Sequence, residues 1–246
     1  MEWIDLNCDM GEGMPDDEAL MPLISSANIA CGYHAGTAEL MARTVALALR
    51  HGVAVGAHPG FDDRDHFGRT EIHLPPSEVY ALVQTQIRLL RDICARQGAV
   101  LGHVKPHGAL YNMAARDAGL AEVLARAIVD ADPGLVLYGL SGSCMLSEAS
   151  KAGLRTASEV FADRTYQDDG RLTPRSVQGA LIENKDQALA QVLQMVKRGS
   201  VVSVSGVLTP IKAETLCLHG DGAHAVSFAK MIRHMFHHEG IQVKIP

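Results

Sequence analysis

The feature that most constrains the fold of this chain is a recurring order: a short apolar segment, then a polar loop, then an amphipathic segment with the helical period. The short apolar segments are typical of buried β-strands. Strands that alternate with helices form parallel β/α units, since a parallel pair needs a long crossover connection. Strands are predicted around Val100 and Leu101 and at residues 4–8, 27–31, 53–57, 135–140, 154–159 and 201–204.

Helices are predicted between these strands, and their ends carry recognisable signals. Thr37 is a suitable N-cap for a helix that Gly52 is placed to end. A Pro-Pro pair opens the longest helix, which Gly98 ends. The predicted helices span residues 16–24, 37–51, 75–97, 117–131, 143–152, 185–197 and 223–238, and short extended pieces are predicted at 215–218 and 242–245.

About seven such units are typical of a closed β/α barrel, although an open, doubly wound sheet has the same element order. The polar residues favour the barrel, because almost every predicted strand carries them at its carboxyl end, where barrel enzymes build their active sites. In an open sheet we would expect them at one switch point. No linker and no low-complexity segment interrupts the chain, so residues 1–246 are predicted to form a single domain.

Composition excludes several functional classes. The net charge is −6 and no run of Lys or Arg stands out, so nucleic acid and anionic membranes are not expected partners. Five cysteines without a C-x-x-C pair fit a reducing cytoplasm. Neither a signal peptide nor a membrane span is expected. The nucleotide motifs G-x-x-x-x-G-K-[ST] and G-x-G-x-x-G and the serine-hydrolase motif G-x-S-x-G are all absent.

The segment H-V-K-P-H-G-A-L-Y-N, residues 103–112, concentrates polar chemistry after a buried strand. His103, Lys105 and His107 alternate, so in an extended chain all three side chains lean to one face. Pro106 then ends the strand, because it has no N–H to donate. Two imidazoles and an ammonium on one face suit an anion, a metal or a transferable proton. The alternative is a set of ordinary surface groups at a strand end.

Acids and histidines follow the first three strands in the same way. Asp9 and Glu12 lie in a Gly-rich loop, where they could bind a divalent cation, act as a base or hold an ammonium; a helix-start acid pair is the alternative. His34 and His58 each follow a strand among small residues, and this repetition favours a site over two structural histidines. Asp9, His34 and His58 could form a metal set, although no local H-x-H spacing supports it.

A further histidine and several cations complete the candidates. His219 and Asp221 in L-H-G-D could pair as an oriented general base, although Asp221 could equally cap the last helix. Arg69, Lys105 and Arg164 are the cations that could bind a carboxylate substrate, for which the guanidinium fork is best suited. The alternative is a salt-bridge network that holds a loop, made by Glu159, Asp163 and Arg164.

Seven segments, in order along nearly the whole chain, together resemble the LamB/YcsF family, which forms the first of the three components of the bacterial ATP-dependent 5-oxoprolinase. They are D-L-N-C-D-M-G-E (5–12), N-I-A-C-G-Y-H-A-G (28–36), G-A-H-P-G (56–60), F-G-R (67–69), H-V-K-P-H-G-A-L-Y-N (103–112), E-V-F-A-D-R-T-Y (159–166) and C-L-H-G-D (217–221). Two positions depart from the family pattern: Tyr33 stands where Phe is common, and Gly60 where Ser is common. Neither change removes a charged group.

The resemblance implies a distorted, seven-stranded parallel β/α barrel akin to polysaccharide deacetylases. It also implies hydrolysis of the lactam of 5-oxo-L-proline to L-glutamate, coupled to ATP hydrolysis with Mg²⁺, in a complex with the 5-oxoprolinase subunits B and C. A lactam amide is a poor electrophile, so a phosphorylated lactam is the expected intermediate. The missing Walker loop suits a nucleotide that is held partly or wholly by a partner.

The candidate residues fall into two sets. The catalytic set is Asp9, Glu12, His58, Lys105, His107 and His219. The substrate-binding set is Asn7, His34, Arg69, Glu159, Arg164 and Asp221. We expect one of the acids or His58 to position water, and His107 or His219 to relay protons. Lys105 and Arg69 would hold the carboxylate or phosphoryl charge.

Two rival functions use the same residues differently. A metal-dependent deacetylase or amidohydrolase would bind its ion through Asp9, His34 and His58, and metal analysis would identify it. A non-catalytic, ligand-binding subunit would need none of these side chains for chemistry, and a His107→Ala variant would separate that case from an enzyme.

Overall fold

The computed structural model describes residues 2–218 and 225–246. The strands are β1 (Trp3–Met10), β2 (Ser26–Ala30), β3 (Ala54–His58), β4 (Leu101–Val104), β5 (Val136–Leu140), β6 (Arg155–Phe161), β7 (Ser200–Val202), β8 (Leu208–Pro210), β9 (Thr215–Leu218) and β10 (Gln242–Val243). The α-helices are α1 (Asp17–Leu20), α2 (Ala38–His51), α3 (Pro76–Gln97), α4 (Gly108–Arg116), α5 (Ala118–Ala131), α6 (Cys144–Lys151), α7 (Lys185–Arg198) and α8 (Ala225–His238). Among the described helices, none combines the length and apolar character that crossing a membrane requires.

Seven parallel strands close into a barrel in the described part of the chain. The order is β1-β2-β3-β4-β5-β6-β9, and β9 pairs again with β1. Thr215 lies in register with Asp5 on one side and with Glu159 on the other, which joins the first and sixth strands through the last. Helices surround this barrel, so the distorted β/α barrel is confirmed and the open doubly wound sheet is wrong.

The identity of the closing strand was predicted incorrectly. The Val-rich segment predicted as the seventh strand forms β7, which pairs antiparallel with β8 in a separate two-stranded ribbon. The closing strand is β9, which we predicted only as a short extended piece. Valines suit an edge ribbon as well as a barrel strand, and Val202 and Leu208 are 49% and 63% exposed. Composition alone therefore could not separate the two roles.

The signals at helix ends were reliable where the sequence carries a capping residue, either a hydroxyl at the start or a glycine at the end. The Thr37 hydroxyl accepts a hydrogen bond from the Leu40 N–H at 3.1 Å and begins α2. Gly52 and Gly98, at φ 66° and 70°, end α2 and α3 in the left-handed conformation. In contrast, α4 was not predicted, because it begins after His107 without any side-chain cap.

The side chains of β1 alternate between two environments. Ile4, Leu6 and Cys8 pack in the apolar core, while Asp5 and Asn7 are fully buried polar residues. The carboxylate of Asp5 accepts hydrogen bonds from the hydroxyls of three residues, and Asn7 bonds to side chains of three other strands. The polar face of the strand therefore fills the barrel and the apolar face packs towards the helices.

Candidate active site

A cavity of about 600 Å³ opens at the carboxyl ends of the barrel strands. Its floor and walls include most of the predicted site residues: Asp9, Glu12, His58, Arg69, Lys105, His107 and Arg164. They come from different β/α units, as expected for a barrel whose active site is built by the loops after its strands. The polar clusters that are separate in the sequence thus meet at the mouth of the barrel, which is the end where the strands have their carboxyl termini and where these residues line the cavity.

The buried ammonium of Lys105 is the central charge of this floor. Its Nζ lies 2.9 Å from Asp9 Oδ1, 2.9 Å from Glu159 Oε1 and 3.2 Å from Asn7 Oδ1. Burial lowers the pKa of Lys105, but the charges of Asp9, Cys217 and Glu159 outweigh it and hold the pKa well above its usual value. Lys105 is therefore a fixed cation, and not a base, at neutral pH.

Two imidazoles beside this cation are oriented by backbone carbonyls. The Nδ1 of His58 lies 2.7 Å from the carbonyl oxygen of Lys105, and the Nε2 of His107 lies 2.8 Å from that of Phe67. A carbonyl only accepts, so we assign the proton of each ring to that nitrogen. The two remaining ring nitrogens, His58 Nε2 and His107 Nδ1, face each other at 2.9 Å.

A third imidazole and a carboxylate complete the group. His34 stacks on His107 with ring centres 3.8 Å apart and planes 4° from parallel. The Nε2 of His34 lies 3.3 Å from Glu12 Oε1, while its buried Nδ1 has no hydrogen-bond partner among the residues that the structure describes. The same Glu12 oxygen lies 3.5 Å from His107 and 3.8 Å from His58.

The three imidazoles differ in their affinity for protons. Burial lowers the pKa of His34 to about 2, and burial with the charges of neighbouring histidines lowers that of His107 well below its usual value. For His58, burial also opposes protonation, but the charge and hydrogen bond of Asp9 outweigh it, and the pKa is raised. Asp9 Oδ2 lies 3.4 Å from His58 Nε2. Protonation at this floor therefore favours His58.

The remaining predicted residues lie around or below the floor. Asn7 and Glu159 project into the barrel directly beneath Lys105. The side chain of Arg69 lies over the Phe67 ring at 5.1 Å. The guanidinium of Arg164 donates to the backbone carbonyls of Ala180 and Thr173, so it holds the loop above the cavity. The carboxylate of Glu159 pairs with Lys105, which differs from the predicted alternative of a Glu159–Arg164 network.

Two predicted residues, His219 and Asp221, lie outside the described residues. The third member of the alternating set, His103, shares the inward face with Lys105 but lies deeper. Its Nε2 lies 2.9 Å from Asn28 Oδ1 and its ring stacks on Tyr138, so it belongs to the barrel interior and not to the mouth.

Several residues that contact the site were not predicted from the sequence. Asn28 donates from its amide nitrogen to Asn7 and Asp9 and thereby holds both acceptors in place. Phe67, a non-glycine residue at φ 57°, presents its carbonyl to His107. The Sγ of Cys217 lies 3.1 Å from Lys105 Nζ. An asparagine inside a buried strand was the one available signal, because a buried amide needs partners.

Comparison with known proteins agrees with this architecture. The family model described as "LamB/YcsF family" matches residues 4–246. A lactam utilization protein from Thermus thermophilus, known from a crystal structure, is 43% identical over 100% of both chains, with a TM-score of 0.92. A structure described as T48 deacetylase with substrate is 14% identical, covers 99% of this chain and 88% of its own, and has a TM-score of 0.52, so it shares the fold alone. The chain belongs to the LamB/YcsF family.

Proposed function

We propose that this protein is the lactam-hydrolysing component of an ATP-dependent 5-oxoprolinase, which opens 5-oxo-L-proline to L-glutamate together with subunits B and C. Family membership and the similarity to a protein named for lactam utilization support the substrate class. The observation that carries the proposal is the buried Lys105–Asp9 pair, with its adjoining imidazoles, at the floor of a cavity of about 600 Å³. Such a floor can hold negative charge and move protons in a site that is largely shielded from water.

The chemistry requires activation of a poor electrophile. Transfer of the terminal phosphoryl group of ATP to the lactam oxygen makes the ring carbon more open to attack and releases ADP. One water then adds to this carbon, the C–N bond breaks, and the ring nitrogen takes up a proton. A second water hydrolyses the resulting acyl phosphate to L-glutamate and phosphate. Each turnover therefore consumes one ATP and two waters.

The floor residues have distinct roles in this sequence. Lys105, held protonated, stabilises the negative charge that develops on the lactam oxygen or on the phosphoryl group. Asp9 and His58 form an acid–base pair, and His107 lies in hydrogen-bond contact with His58 for proton transfer. Arg69, on the cavity wall, binds the substrate carboxylate. ATP with its Mg²⁺ is held largely by a partner protein, in agreement with the missing nucleotide motifs.

The test is reconstitution of the three subunits with 5-oxo-L-proline, ATP and Mg²⁺, with release of glutamate and phosphate as the readout. A Lys105→Met variant should lower turnover by about 10²–10³-fold, the usual effect of removing one electrostatic stabiliser. Lys151→Met is the matched control, because that lysine is 70% exposed and pairs with Glu148 on the same helix. It should keep full activity.

Because Lys105→Met leaves the buried Glu159 and the partly buried Asp9 without their cation, a His107→Gln variant provides a second test that keeps both pairs of Lys105 intact. It should lower turnover while the circular dichroism spectrum and binding to the partner subunits stay unchanged. Full activity in both variants would exclude this floor from the reaction. Binding of 5-oxo-L-proline without any turnover in the complete complex would instead support a non-catalytic role for this chain.

A further inference from the structure

We infer that Glu12, His34, His58 and His107 form a binding site for one divalent transition-metal ion of the Zn²⁺ class at the floor of the cavity. Each residue offers one ligand atom, and these four atoms lie within 4.8 Å of one another. Three imidazole nitrogens and one carboxylate oxygen form a donor set that suits Zn²⁺ or Co²⁺, and not Mg²⁺ or Ca²⁺, which prefer oxygen alone. The site is therefore distinct from that of the Mg²⁺ that accompanies ATP.

Four of the six donor–donor distances lie near the value expected for tetrahedral coordination, and all six lie within 4.8 Å. Metal–ligand bonds of about 2.0–2.1 Å place neighbouring ligand atoms about 3.3 Å apart in a tetrahedron. The Glu12 oxygen lies 3.3 Å from His34 Nε2 and 3.5 Å from His107 Nδ1. His58 Nε2 lies 2.9 Å from His107 Nδ1 and 3.8 Å from Glu12. The rings of His34 and His107 are stacked with planes 4° apart, so all four atoms meet at a common centre once the His34 ring turns out of this stack.

The tautomers of two histidines point to a cation between them. Because the outer nitrogens of His58 and His107 donate to backbone carbonyls, the inner nitrogens both present lone pairs. Two lone pairs 2.9 Å apart repel each other unless a proton or a metal lies between them. An outer N–H that donates to a carbonyl is also the usual support of a metal-bound histidine, because it fixes the ring and raises its basicity.

The position of His34 is set by close packing against two glycines. A Cβ atom at Gly60 would lie 2.7 Å from His34 Nδ1, and one at Gly68 would lie 2.7 Å from the His34 Cβ. The two glycines therefore leave room for the His34 side chain, which is fully buried, and for the His107 ring stacked on it. Among the described residues, the Nδ1 of His34 has no hydrogen-bond partner, so the Nε2 beside Glu12 is the nitrogen that offers a ligand atom.

The proposed ligand set differs from the one that the sequence suggested, because Glu12 and His107 replace Asp9. The Oδ1 of Asp9 already accepts from Lys105 at 2.9 Å and from Asn28 at 2.8 Å. Its Oδ2 lies 3.4 Å from His58 Nε2, next to the proposed ligands. With an ion bound, the inner nitrogens of His58 and His107 would hold it, and Asp9 would take over the proton transfer that the proposed function gives to these two histidines. A cation here would polarise that water or a carbonyl oxygen in the cavity.

The experiment uses the full chain without an affinity tag, stripped with a chelator and then titrated with Zn²⁺ and with Co²⁺. We expect one tightly bound ion per chain and the visible absorption of Co²⁺ in a tetrahedral nitrogen and oxygen environment. A Glu12→Gln or His107→Gln variant should weaken binding by more than the roughly 100-fold that supporting residues around a metal typically contribute. These readouts do not depend on lactam turnover, so they separate the site from the proposed function.

The matched control removes a competing surface chelate. His234 and His238 lie four residues apart on exposed positions of α8, a spacing that can bind metals on its own. A His234→Gln/His238→Gln variant should keep the tight ion and its spectrum. Loss of the ion in this control, an unchanged affinity in both site variants, or no tight binding by the wild-type chain would overturn the inference. The last result would mean that a proton, and not a metal, lies between His58 and His107.

Discussion

The interior of the barrel and its mouth are built from the same inward-facing positions, but their polar groups are satisfied differently. In the interior, the carboxylate of Asp5 accepts from three hydroxyls, and His103 is hydrogen-bonded to Asn28 while its ring stacks on Tyr138 at 4.2 Å. In the mouth, the inner nitrogens of His58 and His107 face each other at 2.9 Å, and the Nδ1 of His34 has no partner in the described part of the chain. The polar groups of Asp5 and His103 are satisfied within the fold, whereas the imidazoles of the mouth are arranged to bind a ligand, as proposed above.

This difference separates stability from function within one barrel. A buried polar network stabilises a fold only when every member is paired, so replacing an interior residue should act mainly on the free energy of unfolding. Replacing a residue of the mouth should act mainly on what the protein binds or converts. Functional sites commonly depart from the rule, obeyed in the rest of a fold, that every buried polar group is paired within the protein.

The largest expected effect tests the interior. A Cβ at Gly56 would lie 2.1 Å from the ring of His103, which fills the barrel at that level. A Gly56→Ala variant should therefore lose at least about 3 kcal/mol of unfolding free energy, the upper end of the usual cost of overpacking. Gly102→Ala in the neighbouring strand is the control, because its nearest atom would lie 3.8 Å away, and it should change stability by less than about 1 kcal/mol.

A double variant distinguishes steric overlap from an unrelated strand defect. In Gly56→Ala/His103→Ala the imidazole that the new methyl would meet is absent. Its unfolding free energy, measured in urea, should be clearly higher than the sum of the single losses predicts, because the two sites are in contact. Additive losses would show that Gly56 is needed for a reason other than His103.

How far such packing could be predicted from the sequence differs between the two regions. The shared face of His103, Lys105 and His107 follows from the two-residue period of a strand and was predicted correctly. Their depth in the barrel did not follow, because depth depends on the stagger between strands. His103 thus became an interior residue, although it has the same chemistry and the same face as His107 in the mouth.

The two errors in the predicted fold, the closing strand and α4, occur where the sequence carries no local signal. The closing strand β9 pairs with β1 and β6, partners about 210 and 56 residues away, and no local pattern reports such pairings. The helix α4 has no capping side chain, so its start gave no signal. The grouping of the site residues could be predicted from the sequence only because parallel strands bring their carboxyl ends together. The resemblance to a family then indicated which residues at those ends form the site.

The next largest effect concerns acid. Burial, with the charges of Lys105 and His58, lowers the pKa of His103 to about 3, so the folded protein excludes a proton that the unfolded chain binds below about pH 6.5. Stability from this residue is therefore complete above that pH and is lost as the pH falls towards 3. Between about pH 6 and pH 4 the loss should be ~1.4 kcal/mol per pH unit, or roughly 3 kcal/mol in all.

A His103→Gln variant checks this prediction, because glutamine can still donate to Asn28 but does not titrate. Its unfolding free energy, measured in urea at several pH values, should fall less steeply with acid than that of the wild type by about one proton. The comparison rests on the slope, so a constant loss of stability in the variant does not affect it. Equal slopes would mean that His103 is charged in the folded protein.

The smallest expected effect tests the mouth, with two substitutions at one glycine. A methyl group at Gly60 would lie 2.7 Å from His34 Nδ1 and push the imidazole away from Glu12. Gly60→Ala should therefore weaken Co²⁺ binding by about 10–100-fold, while the unfolding free energy changes by only about 1–2 kcal/mol.

Gly60→Ser carries the same Cβ but adds a hydroxyl that can accept from the His34 Nδ1–H, which has no partner among the described residues. The serine variant should therefore bind Co²⁺ more tightly than the alanine variant, since a fixed outer N–H supports the ligand on the other side of the ring. Equal affinities would show that the outer nitrogen of His34 has no influence on the site, and a large loss of stability in both would move this glycine from the mouth to the interior.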